Sequence, residues 1–121
     1  MSERVKLFAG LGASVLANAV WVTWPEHEAF RLKVLKATSL AEPEKSPLAF
    51  VEHYHWGLAS LVLARYAGKY SGFLDGFGVG MVAIEASSDK PFGYGKTAWE
   101  VRGNLILGSL LSGLLIVSLA K

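Results

Sequence analysis

Leu7 to Pro25 (LFAGLGASVLANAVWVTWP) and Gly103 to Ala120 (GNLILGSLLSGLLIVSLA) are two long stretches without a charged residue. A helix needs about 20 mainly apolar residues to cross the hydrocarbon core of a membrane, and both stretches approach that length. Trp21 and Trp24 end the first stretch, and Trp99 precedes the second, as is typical of side chains at the level of the lipid headgroups. We therefore predict a membrane-spanning helix in each stretch.

The first stretch also has the three regions of a secretory signal peptide. A charged start (MSERVK) precedes an apolar run (LFAGLGASVL), and the small residues Ala17 and Ala19 follow. The length of the charge-free stretch favours a retained membrane helix.

The overall composition agrees with a membrane protein. The chain has 121 residues, which is the size of one domain, and 52% of them are hydrophobic. Only 18% are charged, against roughly 25% in soluble domains. The net charge is +2 with scattered basic residues, so we expect no nucleic-acid partner. The absence of cysteine excludes disulfides, thiolate metal sites and cysteine nucleophiles.

Two further apolar segments lie between these stretches, and both carry ionisable residues. A short polar turn, residues 68–71, separates them and predicts a helical hairpin. The alternating pattern of a barrel strand is absent. We therefore predict an all-α fold, an integral membrane four-helix bundle forming a single transmembrane domain. The predicted helices are about 5–24, 48–67, 72–87 and 103–120.

The first long connection predicts an amphipathic helix on the membrane surface over residues 26–38. Pro25 suits the first turn of a helix, and the acidic residues that follow it complement the helix dipole. An alternative topology has two transmembrane helices flanking a small helical hairpin domain. The two longer connections carry more lysine and arginine than the opposite side, which favours a cytoplasmic position for them. We expect a protein of the plasma membrane, in contact with membrane lipids.

The hairpin carries a candidate site. Glu52 and His55 are three residues apart and share one side of a helix, and His53 lies beside them. Antiparallel pairing about the turn places Glu85 at the same depth. Ferritin-like carboxylate sites use Glu-x-x-His and single Glu ligands from four helices, a set that a twofold dimer of this hairpin would supply. We predict a divalent transition metal such as iron or zinc at Glu52, His55 and Glu85, with His53 as an additional ligand or neighbour.

Two other interpretations of this group stay open. One is a protonatable or ligand-binding site without metal, because ionisable residues inside a membrane are usually functional. The other is a structural cluster at the interface, where an acid complements the start of a helix and aromatic residues favour headgroup depth.

The same pairing rule brings Arg65 and Asp75 together near the turn. We predict a buried ion pair between them, which would remove two isolated charges from a low-dielectric region. In the alternative, Arg65 extends to the interface beside Lys69.

Small residues recur every four positions on three of the predicted helices. Such faces let helices approach closely within a membrane, either inside one chain or between chains. The predicted packing residues are Gly72, Gly76 and Gly80 in the third helix, Ser109 and Gly113 in the fourth, and Ala9, Ala13 and Ala17 in the first.

These features favour a structural or accessory subunit of a homo-oligomer or of a larger membrane complex, such as a respiratory or oxidase assembly. The alternatives are a membrane metalloprotein or metal-dependent oxidoreductase that uses the hairpin site, and a small channel or proton-linked transporter. The chain has no Gly-x-Ser-x-Gly, P-loop or His-Glu-x-x-His motif.

Overall fold

The structure is a computed structural model that describes residues 2–39, 42–88, 92 and 95–120. All regular structure in these ranges is helical, which confirms the all-α prediction. Three 3₁₀ turns lie at Pro43–Lys45, Pro47–Phe50 and Gly68–Tyr70. The α-helices are α1 (Glu3–Thr23), α2 (His27–Thr38), α3 (His53–Ala64), α4 (Ser71–Ala86) and α5 (Ala98–Ala120).

Two helices, α1 and α5, are long and apolar enough to cross a membrane, with 21 and 23 residues. Helix α3 has 12 residues and α4 has 16, so they extend over about 18 and 24 Å at 1.5 Å per residue. The predicted helix 48–67 is shortened at its start. Pro47–Phe50 forms a 3₁₀ turn and Val51 is extended, so α3 begins only at His53. Four membrane-spanning helices are therefore not established by length alone.

All the α-helices except α2 lie side by side, in the order α1, α4, α3, α5. Helices α1 and α4 run in parallel, while α3 and α5 run in the opposite direction. Within the described part, α1 and α5 have no extensive contact with each other, so the row is open. We call the end that holds residues 24–39 and 42–52 the upper end. The lower end holds the turn between α3 and α4, where Gly68 adopts a positive φ of 57° that favours glycine.

Helix α2 lies at the upper end of the row, where the amphipathic helix was predicted. Its Leu35 is buried, and its Phe30 contacts the Trp21 and Trp24 rings at centroid distances of 6.3 and 5.4 Å. His27 Nδ1 donates to the Trp24 carbonyl oxygen over 2.8 Å. This aromatic cluster joins the last turn of α1 to α2.

The contact between α1 and α4 is a backbone-to-backbone approach. A Cβ atom on Gly10 would overlap with the carbonyl oxygen of Phe73, and one on Gly76 would overlap with that of Leu7. A Cβ atom on Gly80 would overlap with the side chain of Ser14. Gly72 begins this face of α4, where a Cβ would lie 2.9 Å from Glu3 Oε2 and 3.0 Å from Lys6 Cβ. The structure thus places the three predicted glycines of α4 against α1 of the same chain.

The other predicted small-residue faces do not pack within the chain. Ala9 and Ala17 are exposed, and α1 uses Gly10 and Ser14 instead. Ser109 and Gly113 are also exposed, and a Cβ on Gly113 would meet nothing within 4 Å. Helix α5 packs through its opposite face, which carries Asn104 and Gly108, because residues four apart share one side of a helix.

The distribution of polarity is inverted relative to a soluble protein. The side chains buried among the described residues are as often polar as apolar; the polar ones are Ser14, Ser46, His55, Ser60, Glu85 and Asn104. The outward surfaces of α1 and α5 are lined by large apolar side chains, including Phe8, Leu16, Val22, Ile106, Leu110 and Ile116, each more than 60% exposed. Exposed apolar surface of this extent marks a surface that contacts lipid or another protein.

The glycine contact predicts a contrast between two neighbouring positions of α1. Gly10→Ala introduces a methyl group against the α4 backbone and is expected to destabilise the fold by about 1–3 kcal/mol, as overpacking does. Gly12→Ala meets open space and is expected to be neutral or stabilising, because alanine has the higher helix propensity. Thermal unfolding in detergent, followed by far-ultraviolet circular dichroism, measures both. Equal unfolding temperatures for the two variants would contradict the packing.

Candidate functional site

Four polar side chains meet at the upper ends of α3, α4 and α5, and we call them the polar layer: Glu52, His55, Glu85 and Asn104. His55 and Asn104 are 2% and 0% exposed, and Glu85 is 6% exposed, whereas Glu52 is half-buried. Three of these residues were predicted to share one depth from the register of the hairpin. The fourth, Asn104, comes from α5.

His55 holds α3 and α5 together through both ring nitrogens. Its Nδ1 accepts a hydrogen bond from the Glu52 backbone N–H over 2.7 Å, which caps the start of α3. Its Nε2 donates to the Asn104 carbonyl oxygen over 2.9 Å. These partners fix the neutral tautomer that carries its proton on Nε2.

Tyr54 strengthens the same junction. Its hydroxyl donates to the Asn104 carbonyl oxygen at 3.1 Å and also hydrogen-bonds the Asn104 side-chain oxygen. The Tyr54 ring lies on the His55 ring with centroids 4.1 Å apart and fills the space beside Gly108. Because Asn104 is fully buried, this network satisfies polar atoms that would otherwise cost free energy.

The metal prediction finds no support in this geometry. No group of three His, Asp or Glu side chains among the described residues could hold a metal ion. His55 has no lone pair to offer, since Nδ1 already accepts from Glu52 and Nε2 donates to Asn104. The Glu-x-x-His spacing serves as a helix cap and an interhelical link, a function that the spacing alone did not distinguish from metal binding.

Glu85 is the buried acid of the polar layer. Ser88 Oγ donates to the Glu85 carbonyl oxygen at 2.7 Å and lies 3.3 Å from carboxylate oxygen Oε2. The other carboxylate oxygen, Oε1, is buried and has no hydrogen-bond partner among the described residues.

Glu52 directly precedes the first residue of α3. It is the member of the polar layer that is most exposed at the upper end. Burial raises the pKa of its carboxyl to about 7. The negative charge of Glu85 and, more weakly, that of Glu100 act in the same direction, while Arg31 opposes them. Glu52 therefore titrates near neutral pH.

Two adjoining cavities give Glu52 access to solvent. The first, of about 330 Å³, is lined by Asn18, Glu52, His53 and Trp56 among others, and the second, of about 480 Å³, includes Glu28 and Glu100. Trp21, Arg31 and Glu52 line both. His53 thus faces the first cavity together with Glu52, and the arrangement provides a water-accessible acid beside a buried one.

The predicted ion pair lies at the lower end, apart from the polar layer. Arg65 Nη2 contacts Asp75 Oδ1 directly, so the two side chains are brought together. They are 27% and 30% exposed, however, and the pair is partly solvated rather than buried. It joins the end of α3 to the start of α4.

Three polar residues buried within the α-helices were not singled out from sequence: Asn104, Ser14 and Ser60. Ser60 Oγ donates to the Leu74 carbonyl oxygen over 2.7 Å and links α3 to α4. Their signal was available, because an uncharged polar side chain in an apolar helix is a common interhelical contact. A search limited to charged residues overlooks it.

Comparisons of the chain with protein-family models, with curated proteins and with solved structures give no match.

The raised pKa of Glu52 predicts a pH dependence of stability. The folded protein holds this proton more tightly than the unfolded chain, whose carboxyl has the ordinary value of 4.5, so stability is lost as pH rises from about 4.5 to about 7. Glu52→Gln is expected to remove that loss. Relative to wild type, its unfolding temperature should rise more at about pH 8 than at about pH 5.

Glu42→Gln removes one exposed carboxylate that lines neither cavity and is the matched control. A difference between Glu52→Gln and wild type that is the same at both pH values would contradict the assignment.

Proposed function

We propose that this chain is an integral membrane protein with four embedded helices and that it serves as a structural or accessory subunit of a homo-oligomer or larger membrane complex. The observation that carries the proposal is the inverted polarity: small and polar side chains fill the helix contacts, and large apolar side chains cover α1 and α5. Helix packing in lipid relies on such small and polar contacts, because the surrounding acyl chains are as apolar as leucine.

The short helices α3 and α4 lie beside the two long helices and at the same height along them. Gly72 of α4 lies beside Glu3 of α1, and Asn18 Nδ2 of α1 lies 3.2 Å from Met81 Sδ of α4. On the other side, Tyr66 Oη near the end of α3 lies 3.0 Å from Ser118 Oγ of α5. If α1 and α5 cross the bilayer, the hairpin therefore lies within it rather than in a separate domain.

The subunit role is supported by the open ends of the row. Gly12 on α1 and Gly113 on α5 face outward, and a Cβ at either position would meet nothing within 4 Å. Together with the exposed Ser109, these positions leave room for a helix of another chain. The proposed setting is the plasma membrane, with the upper end on the cytoplasmic side.

A channel or proton-linked transporter is the weaker candidate. Glu52 and Glu85 resemble the acids of a proton pathway, and intramembrane acids commonly serve that purpose. The described helices, however, form an open row that encloses no continuous path from the upper to the lower end. Such a path would require a second chain, so this alternative also depends on oligomerisation.

Topology follows from the direction of the helices and is testable with single cysteines, since the chain has none of its own. Lys69→Cys lies at the lower end and Lys96→Cys at the upper end, so a membrane-impermeant thiol reagent is expected to label them from opposite sides of vesicles. Ser2→Cys, at the lower end, is the control that should behave as Lys69→Cys does. Labelling of Lys69→Cys and Lys96→Cys from the same side would instead establish the two-span topology.

Assembly through α5 is tested at its exposed small-residue face. The double variant Ser109→Leu/Gly113→Leu fills that face and is expected to shift the protein from an oligomer to a monomer in mild detergent, measured by light scattering after size exclusion. Ser109→Ala/Gly113→Ala keeps the face small and should retain the wild-type size. The earlier candidate Gly76 is unsuitable, because it packs inside one chain. An unchanged oligomer in the leucine variant would exclude this face as the interface.

A further inference from the structure

An apolar groove of about 560 Å³ lies at the upper end of α5, on the side away from the polar layer. Its apolar lining comes mainly from one face of α5, and two cations, Lys45 and Arg102, also line it. The full lining is Lys45, Phe50, Ala98, Trp99, Arg102, Gly103, Ile106, Leu107 and Leu110.

The floor and upper wall of the groove are held in place by specific contacts. The Phe50 ring packs directly on Gly103, where any Cβ would overlap with it. Trp99 Nε1 donates to the carbonyl oxygen of the fully buried Ser46 over 3.1 Å, and the Trp99 and Phe50 rings are 5.9 Å apart. The groove is therefore preformed and does not depend on a ligand for its shape.

The rim of the groove carries unbalanced positive charge. Lys45 Nζ lies 5.9 Å from the centre of the Trp99 ring, a cation–π distance. Neither Lys45 nor Arg102 forms an ion pair with any carboxylate in the described part of the chain. The nearest acid along α5, Glu100, instead accepts from the Lys96 backbone N–H over 2.6 Å and lines the cavity at Glu52.

We infer that this groove binds one anionic phospholipid. An acyl chain would lie along Ile106, Leu107 and Leu110, and the phosphate would meet Lys45 and Arg102. Trp99 would lie at headgroup level, where tryptophan is favoured. This inference rests on the proposed membrane embedding, which places the lower part of the groove in acyl chains and its rim in the headgroup region.

Charge and shape together select this ligand. An apolar helix from another protein would cover the apolar part of the groove but would supply no counter-charge to Lys45 and Arg102, which no carboxylate of the described residues pairs with. A zwitterionic lipid carries its own cation next to the phosphate, which reduces the attraction. Basic residues beside an apolar surface at a membrane face are a common arrangement for anionic headgroups.

The test uses the full chain in mild detergent, titrated with phosphatidylglycerol or phosphatidylcholine and measured by native mass spectrometry. Wild type is expected to retain phosphatidylglycerol about tenfold more tightly than phosphatidylcholine. Lys45→Gln/Arg102→Gln should abolish this preference. Lys33→Gln/Lys36→Gln removes two exposed cations from α2 and should leave it unchanged.

Three results would overturn the inference. The first is equal retention of the two lipids by wild type, and the second is a preference that survives Lys45→Gln/Arg102→Gln. The third is equally tight binding of soluble glycerol phosphate, which would indicate an anion site without a lipid. Cysteine labelling of the same protein separates the two proposals. Labelling of Lys69→Cys and Lys96→Cys from opposite sides, without a lipid preference, refutes only the lipid site. Labelling of these two positions from the same side refutes the four-span arrangement.

Discussion

The close approach of α1 and α4 fixes the position of every other helix. Gly10 and Gly76 let the two backbones touch, and that contact sets the height of α4 relative to α1. The tight turn at Gly68 connects α3 to α4, so that the two helices lie antiparallel to each other. The Arg65–Asp75 pair lies beside this turn. The register of α3 in turn determines where His55 meets α5. An error in the first contact would displace all later ones.

The interior chemistry is what the proposed membrane setting would require, because lipid provides no hydrophobic driving force between helices. Burying leucine against leucine gains little when the alternative is an acyl chain, so close packing and hydrogen bonds must hold the helices together. Ser60 links α3 to α4, and His55 links α3 to α5. The same rule explains why α1 and α5, which contact helices on only one side, carry their large apolar residues outward.

Sequence reasoning recovered the relationships that depend on spacing. Charge-free length identified α1 and α5, and hairpin register placed Glu52 near Glu85 and Arg65 near Asp75. It could not choose where a side chain has several chemically equivalent uses. A histidine three residues after an acid suits a metal or a helix cap, and only the position of the Asn104 carbonyl decides. The length of α3 was overestimated because apolar residues 48–51 belong to the 3₁₀ turn Pro47–Phe50 and to extended Val51, and hydropathy does not distinguish these from an α-helix.

Helical periodicity separates opposite charges at the upper end of α5. Glu100 and Asn104 are four residues apart and face inward, toward Glu52 and His55. Arg102 lies between them in sequence and therefore points away, into the apolar groove. Because the cation is directed outward, it does not neutralise the acids around Glu52, whose carboxyl keeps its raised pKa. Among the described residues, Arg102 therefore forms no ion pair with a carboxylate, and its guanidinium is left to line the groove.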